Sequence, residues 1–275
     1  MELFGGVSET VVRLFAFVGV LVLMGTLELV SPKRKLRASR VRRWVTNLAI
    51  IATDNLFVRL MALSAVPLVA IAAAVFAEGH GLGLFNRLAW PGSLEVLASI
   101  ILLDFALWLQ HVASHRITLL WRLHQMHHAD PDIDVTTAIR FHPIEIMLSM
   151  LWKILWVMAL GISPLAVLLF EVILNSCAMF SHANVALPPA VDRLLRRVIV
   201  TPDMHRVHHS VLVREHDANF GFNLSVWDRL FGTYIDQPEK GHEGMTIGLA
   251  SYQSDGPTRI LWNLALPFRR LKENE

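Results

Sequence analysis

Cysteine is almost absent from this sequence, with Cys177 as the single example among 275 residues. One thiol cannot form an intrachain disulfide, and it excludes a cysteine-based zinc or iron–sulfur site within one chain. A nucleotide-binding loop is also absent, because Gly79, Gly81 and Gly83 have the wrong spacing and context to cradle a phosphate. Any metal bound within the chain must therefore be held by nitrogen and oxygen atoms.

Charged residues are scarce, at 17% of the chain, whereas 54% of the residues are hydrophobic. That balance is too apolar for an ordinary soluble domain of this length, so we expect a protein embedded in a membrane. The formal net charge of +2 gives no reason to expect a nucleic-acid partner, and we expect none.

Long apolar stretches predict an all-α integral membrane protein with about four transmembrane helices. Residues 10–30 and 57–77 are expected to be two spans, and residues 94–110 an inward span, because each approaches the roughly 20 residues that cross a bilayer. Residues 144–160 and 162–180 are expected to form a helical hairpin, since Gly161 and Ser163-Pro164 separate the two arms.

Two polar stretches refine this topology. The basic run from Lys33 to Arg43 places the end of the first span in the cytoplasm by the positive-inside rule, and we expect it to contact anionic lipid. Asp54, Asn55 and Arg59 interrupt the next apolar stretch, so an interfacial helix is expected to end near Asn55, before the second span.

The order of the spans places residues 111–142, and everything after residue 182, on the cytoplasmic side. We expect a histidine-rich helical cap there. The predicted organisation is an N-terminal transmembrane and basic segment over 1–93, a catalytic domain over 94–235 and a C-terminal cytosolic tail over 236–275.

Histidine is the residue around which this sequence is organised, and eight of the 13 histidines form three boxes. The boxes read His111-x3-His115, His124-x2-His127-His128 and His205-x2-His208-His209. Positions i, i+3 and i+4 share one face of a helix, so the imidazoles of each box can converge. Eight imidazoles exceed the three or four that one zinc ion accepts, which predicts two metal ions, and imidazole suits iron, copper, zinc or nickel.

Other polar residues near the boxes are candidates for ligands or for support. Asp104 lies on the face of the inward span that leads to His111, and we expect its carboxylate to accept the second N–H of a ligating imidazole. His142 and His182 are further candidate ligands, whereas His216 is expected to be a polar loop residue. The candidates to orient imidazoles are Arg140, Glu145, Asp203, Asp217 and Asn219.

The spacing, order and flanking residues of the boxes resemble the fatty acid hydroxylase and sterol desaturase superfamily of membrane di-iron enzymes. The segment Thr201-Pro202-Asp203-Met204-His205-Arg206-Val207-His208-His209-Ser210 is similar to the last box of that family. Asn219-Phe220-Gly221 and the stretch over 227–234 resemble its C-terminal signature. The resemblance covers roughly residues 94–234.

This resemblance implies two iron ions, bound by histidines at the cytosolic rim of a helical bundle, which activate O2 to attack an unreactive C–H bond of a lipid. Carried over by position, the implied ligands are His111, His115, His124, His127, His128, His182, His205, His208 and His209. Ala178 stands where some members have a further histidine, so no tenth ligand is implied at that position.

We therefore expect an oxidoreductase that hydroxylates or desaturates a lipid, which enters from the bilayer through an apolar tunnel. A separate electron-donor protein is expected, because nothing in the sequence resembles a domain that carries electrons. Two alternatives stay open: a metal-transporting or metal-sensing membrane protein, and a zinc-dependent hydrolase of lipid headgroups, which would use fewer ligands and a general base.

Overall fold

The structure is a computed structural model that describes residues 2–3, 7–63 and 69–269. Its described part is almost entirely helical. Within these ranges the strands are two antiparallel pieces of two residues each, β1 (Glu2–Leu3) and β2 (Val7–Ser8), which pair with one another. The expectation of an all-helical fold is therefore confirmed, apart from this short pairing.

The helices fall into a bundle of long elements and a cap of short ones. The bundle contains α1 (Glu9–Val30), α2 (Arg40–Ala62), α3 (Ala70–Gly79), α4 (Gly92–Arg116), α6 (Pro143–Leu160) and α7 (Pro164–His182). The cap contains α5 (Thr118–His128), α8 (Pro189–Leu195), α9 (Pro202–His208), α10 (Val213–His216), α11 (Val226–Leu230), α12 (Gly241–Gly244) and α13 (Ile260–Ala265). Short 3-10 helices occupy Phe85–Arg87, Thr137–Ile139, Ala250–Tyr252, Gly256–Thr258 and Leu266–Phe268.

Five helices of the described chain are long and apolar enough to cross a membrane, namely α1, α2, α4, α6 and α7. The inward span predicted from the sequence is α4, and the two arms of the predicted hairpin are α6 and α7. The shorter apolar helix α3 has ten residues. These helices make the chain an integral membrane protein.

The second predicted span is where the sequence expectation was wrong. Instead of a break near Asn55 and a span over 57–77, α2 continues to Ala62 and α3 begins only at Ala70. Asp54 causes no break because its side chain lies inside the bundle, with 6% of its surface exposed. Residues 64–68, which belong to the predicted span, lie outside the described residues.

The turn of the hairpin has the residues that its geometry requires. Gly161 ends α6 at a φ of 70°, a left-handed conformation that favours glycine. Ser163 then caps α7 by accepting a hydrogen bond from the backbone N–H of Ala166. A Cβ atom on Gly83 would lie 2.1 Å from the backbone nitrogen of Gly161, so the two glycine turns pack directly on one another.

A buried apolar cluster joins α3, α4, α6 and α7 and fixes the directions of these helices. Its members include Leu103 and Leu107 of α4, Val157 of α6 and Phe170 of α7, each with at most 5% of its surface exposed. Close packing of this kind holds helices in register inside a bilayer, where lipid is as apolar as leucine. It positions the C-terminal ends of α4 and α7, which carry histidines.

Helix ends meet at the end of the bundle that carries the histidines. They are the C-terminal ends of α1, α4 and α7 and the N-terminal ends of α2 and α6. Residues at the C-terminal end of α1 contact the segment after α7, where the backbone N–H of Lys33 donates to the carbonyl of Asn184 at 3.0 Å. Glu28, buried in α1, accepts hydrogen bonds from the backbone N–H groups of Val135 and Asn184. All histidine boxes therefore lie at one end of the molecule.

The basic run does more than was expected of a lipid-contacting signal. Arg43 is fully buried and donates to both carboxylate oxygens of Asp130, at 2.5 and 2.8 Å, and to Asp134. Burial would raise the pKa of Asp130, but the adjacent Arg43 outweighs burial and holds that pKa below its usual value. Lys33 pairs with Asp203 at 2.8 Å. Arg43 therefore ties the start of α2 to the segment after the second box, and Lys33 ties the segment after α1 to the third box.

The residues expected to form a tail pack against this end as well. Tyr252 and Leu266 join a buried cluster with Ile50 of α2 and Trp121 of α5. Buried Arg140 also donates to the side-chain oxygen of Asn263. The C-terminal part of the described chain is consequently an integral layer of the cap.

Candidate metal centre

Nine buried or nearly buried histidines converge in two adjacent groups at this end of the bundle. The first, the five-histidine cluster, contains His111, His115, His124, His128 and His208. The second, the four-histidine cluster, contains His127, His182, His205 and His209. Within each cluster the candidate ligand nitrogens lie within 4.8 Å of one another. The two groups together contain all nine histidines that the family resemblance implied as ligands, and they do not contain His142.

Helix periodicity explains how the boxes divide between the clusters. In α5, His124 and His128 lie one turn apart and face the first cluster, whereas His127 points to the second. The third box reverses this pattern: His208 joins the five-histidine cluster, and its companions join the other. An H-x-x-H-H box therefore supplies ligands to two neighbouring sites at once.

Distances between ring nitrogens fit a metal ion in each cluster. The Nε2 atoms of His111 and His124 are 3.1 Å apart, and the Nε2 atom of His182 lies 3.1 Å from that of His127 and 3.0 Å from that of His205. Two nitrogens at 2.0–2.1 Å from one metal, at a right angle, are separated by about 3 Å. These separations are therefore the ones expected of neighbouring ligands.

Several buried ring nitrogens have no hydrogen-bond partner. They include both nitrogens of His128 and His209, and the Nε2 atoms of His115 and His208. Unpartnered buried polar atoms are rare and costly in folded proteins. Burial also lowers the pKa of His128, His208 and His209 well below the usual value, which keeps these imidazoles neutral and able to coordinate. The residues present thus fit a metal in both clusters.

Four of the five Nδ1 atoms of the five-histidine cluster are held by two carboxylates and two backbone carbonyls, and the Nδ1 atom of His128 has no partner. His124 Nδ1 lies 2.7 Å from Glu145 Oε1, and His115 Nδ1 lies 3.3 Å from Asp217. The carbonyl partners, each at 2.7 Å, are Phe220 for His111 and Ala218 for His208. Such partners fix the ring orientation and tautomer, and leave Nε2 free for a metal.

The Nδ1 atoms of the four-histidine cluster contact two backbone carbonyls and the hydroxyl of Ser181, which lies 3.3 Å from His182 Nδ1, but none of the described contacts is with a carboxylate. His182 Nδ1 lies 2.7 Å from the carbonyl oxygen of Ala178, and His127 Nδ1 lies 3.3 Å from that of Arg140. The Nδ1 atoms of His205 and His209 have no hydrogen-bond partner. The support of the second cluster is therefore weaker than that of the first.

Asp104 does not have the role that the sequence suggested. Its carboxylate accepts hydrogen bonds from the indole of Trp227 at 2.8 Å and from the backbone N–H groups of Asn223 and Leu224, at 3.3 and 3.2 Å. None of its described contacts is with an imidazole. Asp104 anchors the C-terminal segment of the cap to α4, so it acts on the histidines only through that segment.

Asp228 has a supporting role that the sequence did not reveal. Its carboxylate accepts from the backbone N–H groups of Phe220 and Gly221, at 2.9 and 2.8 Å, and from the indole of Trp108 at 3.1 Å. These bonds fix the position of the Phe220 carbonyl that faces His111. In the sequence, the sign of this role was an acidic residue within the stretch that resembles the C-terminal signature of the family. Only the fold places that residue beside Phe220.

His142 lies outside both clusters. Its Nδ1 atom accepts a hydrogen bond from the backbone N–H of Ile144 at 3.2 Å and so caps α6, while its Nε2 atom is 3.3 Å from the carbonyl of Leu264. Among the described residues it contacts no ligand histidine by hydrogen bond. Its position therefore indicates a helix cap and a tie to the C-terminal layer rather than a metal ligand.

Asn219 and His216 border the site. Asn219 has a φ of 53°, and its side-chain amide donates to the carbonyls of Met204 and Ile235 at 2.9 Å each, which joins the third box to the segment after it. His216 was expected in a polar loop, but its buried ring stacks on Trp121 with a centroid separation of 5.5 Å. It belongs to neither cluster.

The path from the bilayer to the histidines differs from the expected apolar tunnel. A cavity of about 370 Å³ lies between α2, α4, α6 and α7 and reaches His111 and His124, but 12 of its 23 lining residues are polar or charged. A separate apolar groove of about 400 Å³ adjoins it between α4, α5 and α6. The expected apolar tunnel is therefore present only in part, because α2 and α6 turn charged side chains into the cavity next to the histidines.

Comparisons with known proteins identify relatives of this chain. It is 30% identical to ornithine lipid hydroxylase OlsE of Rhizobium tropici over 187 residues, and this aligned region covers 68% of this chain and 54% of that protein. It is 30% identical to alkylglycerol monooxygenase of Homo sapiens over 173 residues, and this aligned region covers 62% of this chain and 37% of the relative. A cholesterol 25-hydroxylase-like protein of Danio rerio is 26% identical over 149 residues, 52% of this chain and 58% of that protein.

The chain thus spans about half of the first relative and little more than a third of the second. No solved structure gives a significant match. A family model described as fatty acid hydroxylase matches residues 96–233, a range that contains all nine clustered histidines. Because this model covers half of the chain, the protein belongs to the fatty acid hydroxylase family of iron-dependent oxygenases.

Proposed function

We propose that this protein is a membrane-bound di-iron oxidoreductase that hydroxylates a lipid with O2 and with electrons from a separate donor protein. The observation that carries the proposal is the pair of neighbouring histidine clusters, five and four imidazoles in number, whose unpartnered nitrogens face inward. One zinc ion would need about half of these ligands. Two ions of a redox-active metal account for all of them, and the family names that metal as iron.

The two iron ions, when bound, supply the activation of O2 and the oxidation of a C–H bond. The reaction balances as R–H, O2, two electrons and two protons giving R–OH and water. Nine histidines of this chain, with no carboxylate among the clustered ligands, would hold the two ions. Low pKa values of buried imidazoles such as His127 and His205 keep those ligands neutral at physiological pH.

The remaining residues of the site position the ligands. Glu145 and Asp217 fix the tautomers of His124 and His115, and the carbonyl of Phe220 fixes that of His111. A carboxylate partner also raises the basicity of an imidazole, which strengthens its bond to a metal. The low exposure of the cluster residues keeps bulk water away from the reaction.

The substrate proposed here is a lipid taken from the bilayer. The relatives are named for the hydroxylation or monooxygenation of an ornithine lipid and of alkylglycerols, and these names favour hydroxylation over desaturation. The long apolar helices and the groove between α4, α5 and α6 support delivery from the membrane. The histidine end of the bundle is proposed to face the cytoplasm, on the basis of the basic run after α1.

Electrons would come from outside the chain, since each turnover needs two and the sequence contains no recognisable nucleotide, haem or iron–sulfur motif. A donor protein on the cytoplasmic side is the corresponding proposal. Omission of the reductase system from a metal-loaded preparation should stop product formation and leave metal content unchanged.

Metal content and oxygen incorporation test the proposed function together. The purified protein should contain two irons per chain, and cells that produce it should accumulate a lipid heavier by one oxygen, labelled when the cells are supplied with 18O2. One tightly bound zinc and a hydrolysed headgroup would instead indicate a lipid hydrolase. Weak, exchangeable metal without a modified lipid would indicate a transporter or sensor.

A further inference from the structure

The apolar groove and the charged cavity adjoin one another. We define the apolar groove by Leu109, Ala113, Ile117, Leu120, Leu148 and Trp152, and the charged cavity by Arg13, Asp54, Glu145, Lys153 and Glu171 together with His111 and His124. Gln110, Ser114 and Glu145 line both spaces. The two spaces therefore meet at these three side chains, and the charged cavity reaches the histidines.

One part of the charged cavity has carboxylate oxygens without partners. Asp54 has 6% of its surface exposed, yet its Oδ1 atom accepts no hydrogen bond. Glu145 has 7% exposed, and although its Oε1 atom faces His124, its Oε2 atom is also without a partner. A buried carboxylate oxygen left unpaired is costly, so this region is complementary to a hydrogen-bond donor with a positive charge.

Another part of the same cavity has an excess of positive charge. Glu171 pairs with both Arg13 and Lys153, the latter at 2.6 Å. Two cations on one carboxylate leave a net charge of +1 among groups that line a largely buried space. An ammonium group has three N–H donors, and the described contacts of Lys153 use one of them. This region is complementary to an anionic group.

The two regions are separated along α6. Glu145 and Lys153 are eight residues apart, which is about 12 Å at the helical rise of 1.5 Å per residue. Because both side chains line the cavity, opposite charges of an occupant would be held apart along α6. The cavity volume of about 370 Å³ corresponds to roughly a dozen water-sized groups, enough for a headgroup but too little for a headgroup with its full acyl chain.

We propose that the substrate is a lipid with a zwitterionic headgroup, which enters the charged cavity headgroup first and leaves its acyl chain in the apolar groove. The ammonium group binds at Asp54 and Glu145, and the acidic group binds at Lys153. The C–H bond that reaches the histidines then belongs to the headgroup, or to the carbon that joins it to the chain. The oxidation of that bond rests on the proposed function, but the binding does not.

Calorimetry under argon with the full-length, metal-loaded protein in detergent micelles tests the binding. The reference ligand is N-palmitoyl-lysine, which carries a free ammonium and a free carboxylate. There are three comparison ligands. The Nε-acetyl derivative lacks the ammonium group, the methyl ester lacks the free acid, and monopalmitoylglycerol lacks both charged groups. The reference ligand should bind at least tenfold more tightly than each of the three. Lysophosphatidylethanolamine shows whether phosphate replaces carboxylate as the acidic group.

Two substitutions assign the charges to residues. The Asp54→Asn protein should no longer prefer the reference ligand to the Nε-acetyl derivative, but should still prefer it to the methyl ester. The Lys153→Gln protein should no longer prefer the reference ligand to the methyl ester, but should still prefer it to the Nε-acetyl derivative. Glu78→Gln and Arg87→Gln remove exposed charges outside the cavity and should change neither preference. Equal binding of monopalmitoylglycerol by the unaltered protein would overturn the proposal, even if a variant fails to fold. An equal weakening of all ligands by both substitutions would also overturn it.

Failure of this inference can be distinguished from failure of the proposed function. A protein that prefers the zwitterionic ligand but never oxidises it would contradict the oxygenase function alone. A protein that incorporates 18O into the distal part of an acyl chain, and has no headgroup preference, would contradict the headgroup-first orientation alone. Fragment masses of the labelled lipid give the position of the oxygen.

Discussion

The two histidine clusters are built from the same residue type in similar local patterns, yet they differ in how their rings are held. In the five-histidine cluster, Glu145 and Asp217 face the Nδ1 atoms of His124 and His115. In the four-histidine cluster the described partners are backbone carbonyls and the Ser181 hydroxyl, and two of four Nδ1 atoms have none, against one of five in the other cluster. A carboxylate partner makes an imidazole a stronger donor. The difference indicates that the first site binds its metal more tightly than the second.

Ala178 lies between the four-histidine cluster and the charged cavity in the sequence of contacts. It is four residues before His182 on α7, and therefore one helical turn away on the same face, and its carbonyl oxygen is 2.7 Å from His182 Nδ1. It also lines the charged cavity, whose lining includes His111 and His124 but none of the four histidines of the second cluster. A histidine at this position would offer the second cluster a ligand that this chain lacks.

Removal of one ligand from each cluster should have the largest effect. We expect His208→Ala to lose the metal of the five-histidine cluster, and His209→Ala that of the other, with hydroxylation falling to background in both because the reaction needs the pair. Elemental analysis of purified protein measures the loss. His80→Ala, which changes an exposed histidine outside the clusters, is the control. Full metal content and activity in His208→Ala would refute the assignment of the site.

Substitution of Glu145 by glutamine should weaken the first cluster alone. The amide retains the size of the side chain but accepts a weaker hydrogen bond from His124, and such changes typically cost 10–100-fold in metal affinity or activity. Metal competition with a chelator measures the affinity of each site. Glu78→Gln is the matched control, and an equal loss of metal from both clusters would show that Glu145 supports the fold rather than one site.

Ala178→His should make the two clusters more alike. A fifth imidazole one helical turn before His182 should slow the loss of metal from the four-histidine cluster, because imidazole is a good ligand for these metals, and should reduce hydroxylation by narrowing the cavity. Ala178→Leu fills similar space without a ligand. If both variants retain metal equally, the slower loss comes from packing, and the interpretation that position 178 can supply a ligand is wrong.

Acid should destabilise the metal-free protein through both clusters. Of the effects predicted here for the two clusters, we expect this one to be the smallest. Burial lowers the folded-state pKa of His128 and His208, and of His127 and His209, below the usual value of 6.5. Protons therefore bind the unfolded chain first, so stability is retained above about pH 6.5 and lost as the pH falls below it. For one imidazole this amounts to a few degrees of unfolding midpoint per pH unit.

Thermal unfolding of the chelator-treated protein between pH 7.5 and 5.5, followed by near-UV circular dichroism, measures this loss. Replacement of His208 or of His209 should reduce the pH dependence by about one proton in each case. A pH dependence unchanged by either substitution would place the responsible groups elsewhere. Restoration of metal should oppose the loss, because bound ligands cannot take up protons.

The sequence by itself determined the histidine boxes and most of the long helices. Box spacing matches the 3.6-residue period of a helix, so the spacing alone placed His111 with His115, and His124 with His128, on common helix faces. Apolar runs of bilayer length likewise identified the first span, the inward span and the hairpin. Both are local properties of the chain, which is why pattern alone was sufficient for them.

Tertiary structure decided everything that depends on which segments meet. It divided the nine histidines into groups of five and four, assigned the support of His111 to a carbonyl held by Asp228, and made Asp104 an anchor for the C-terminal segment. It also kept Asp54 inside a continuous α2, where the sequence suggested a break. From sequence alone, a charged residue inside an apolar stretch predicts the end of a membrane helix, because burying a charge is costly. How costly it is depends on partners that lie far away in the chain, and only the tertiary structure shows them.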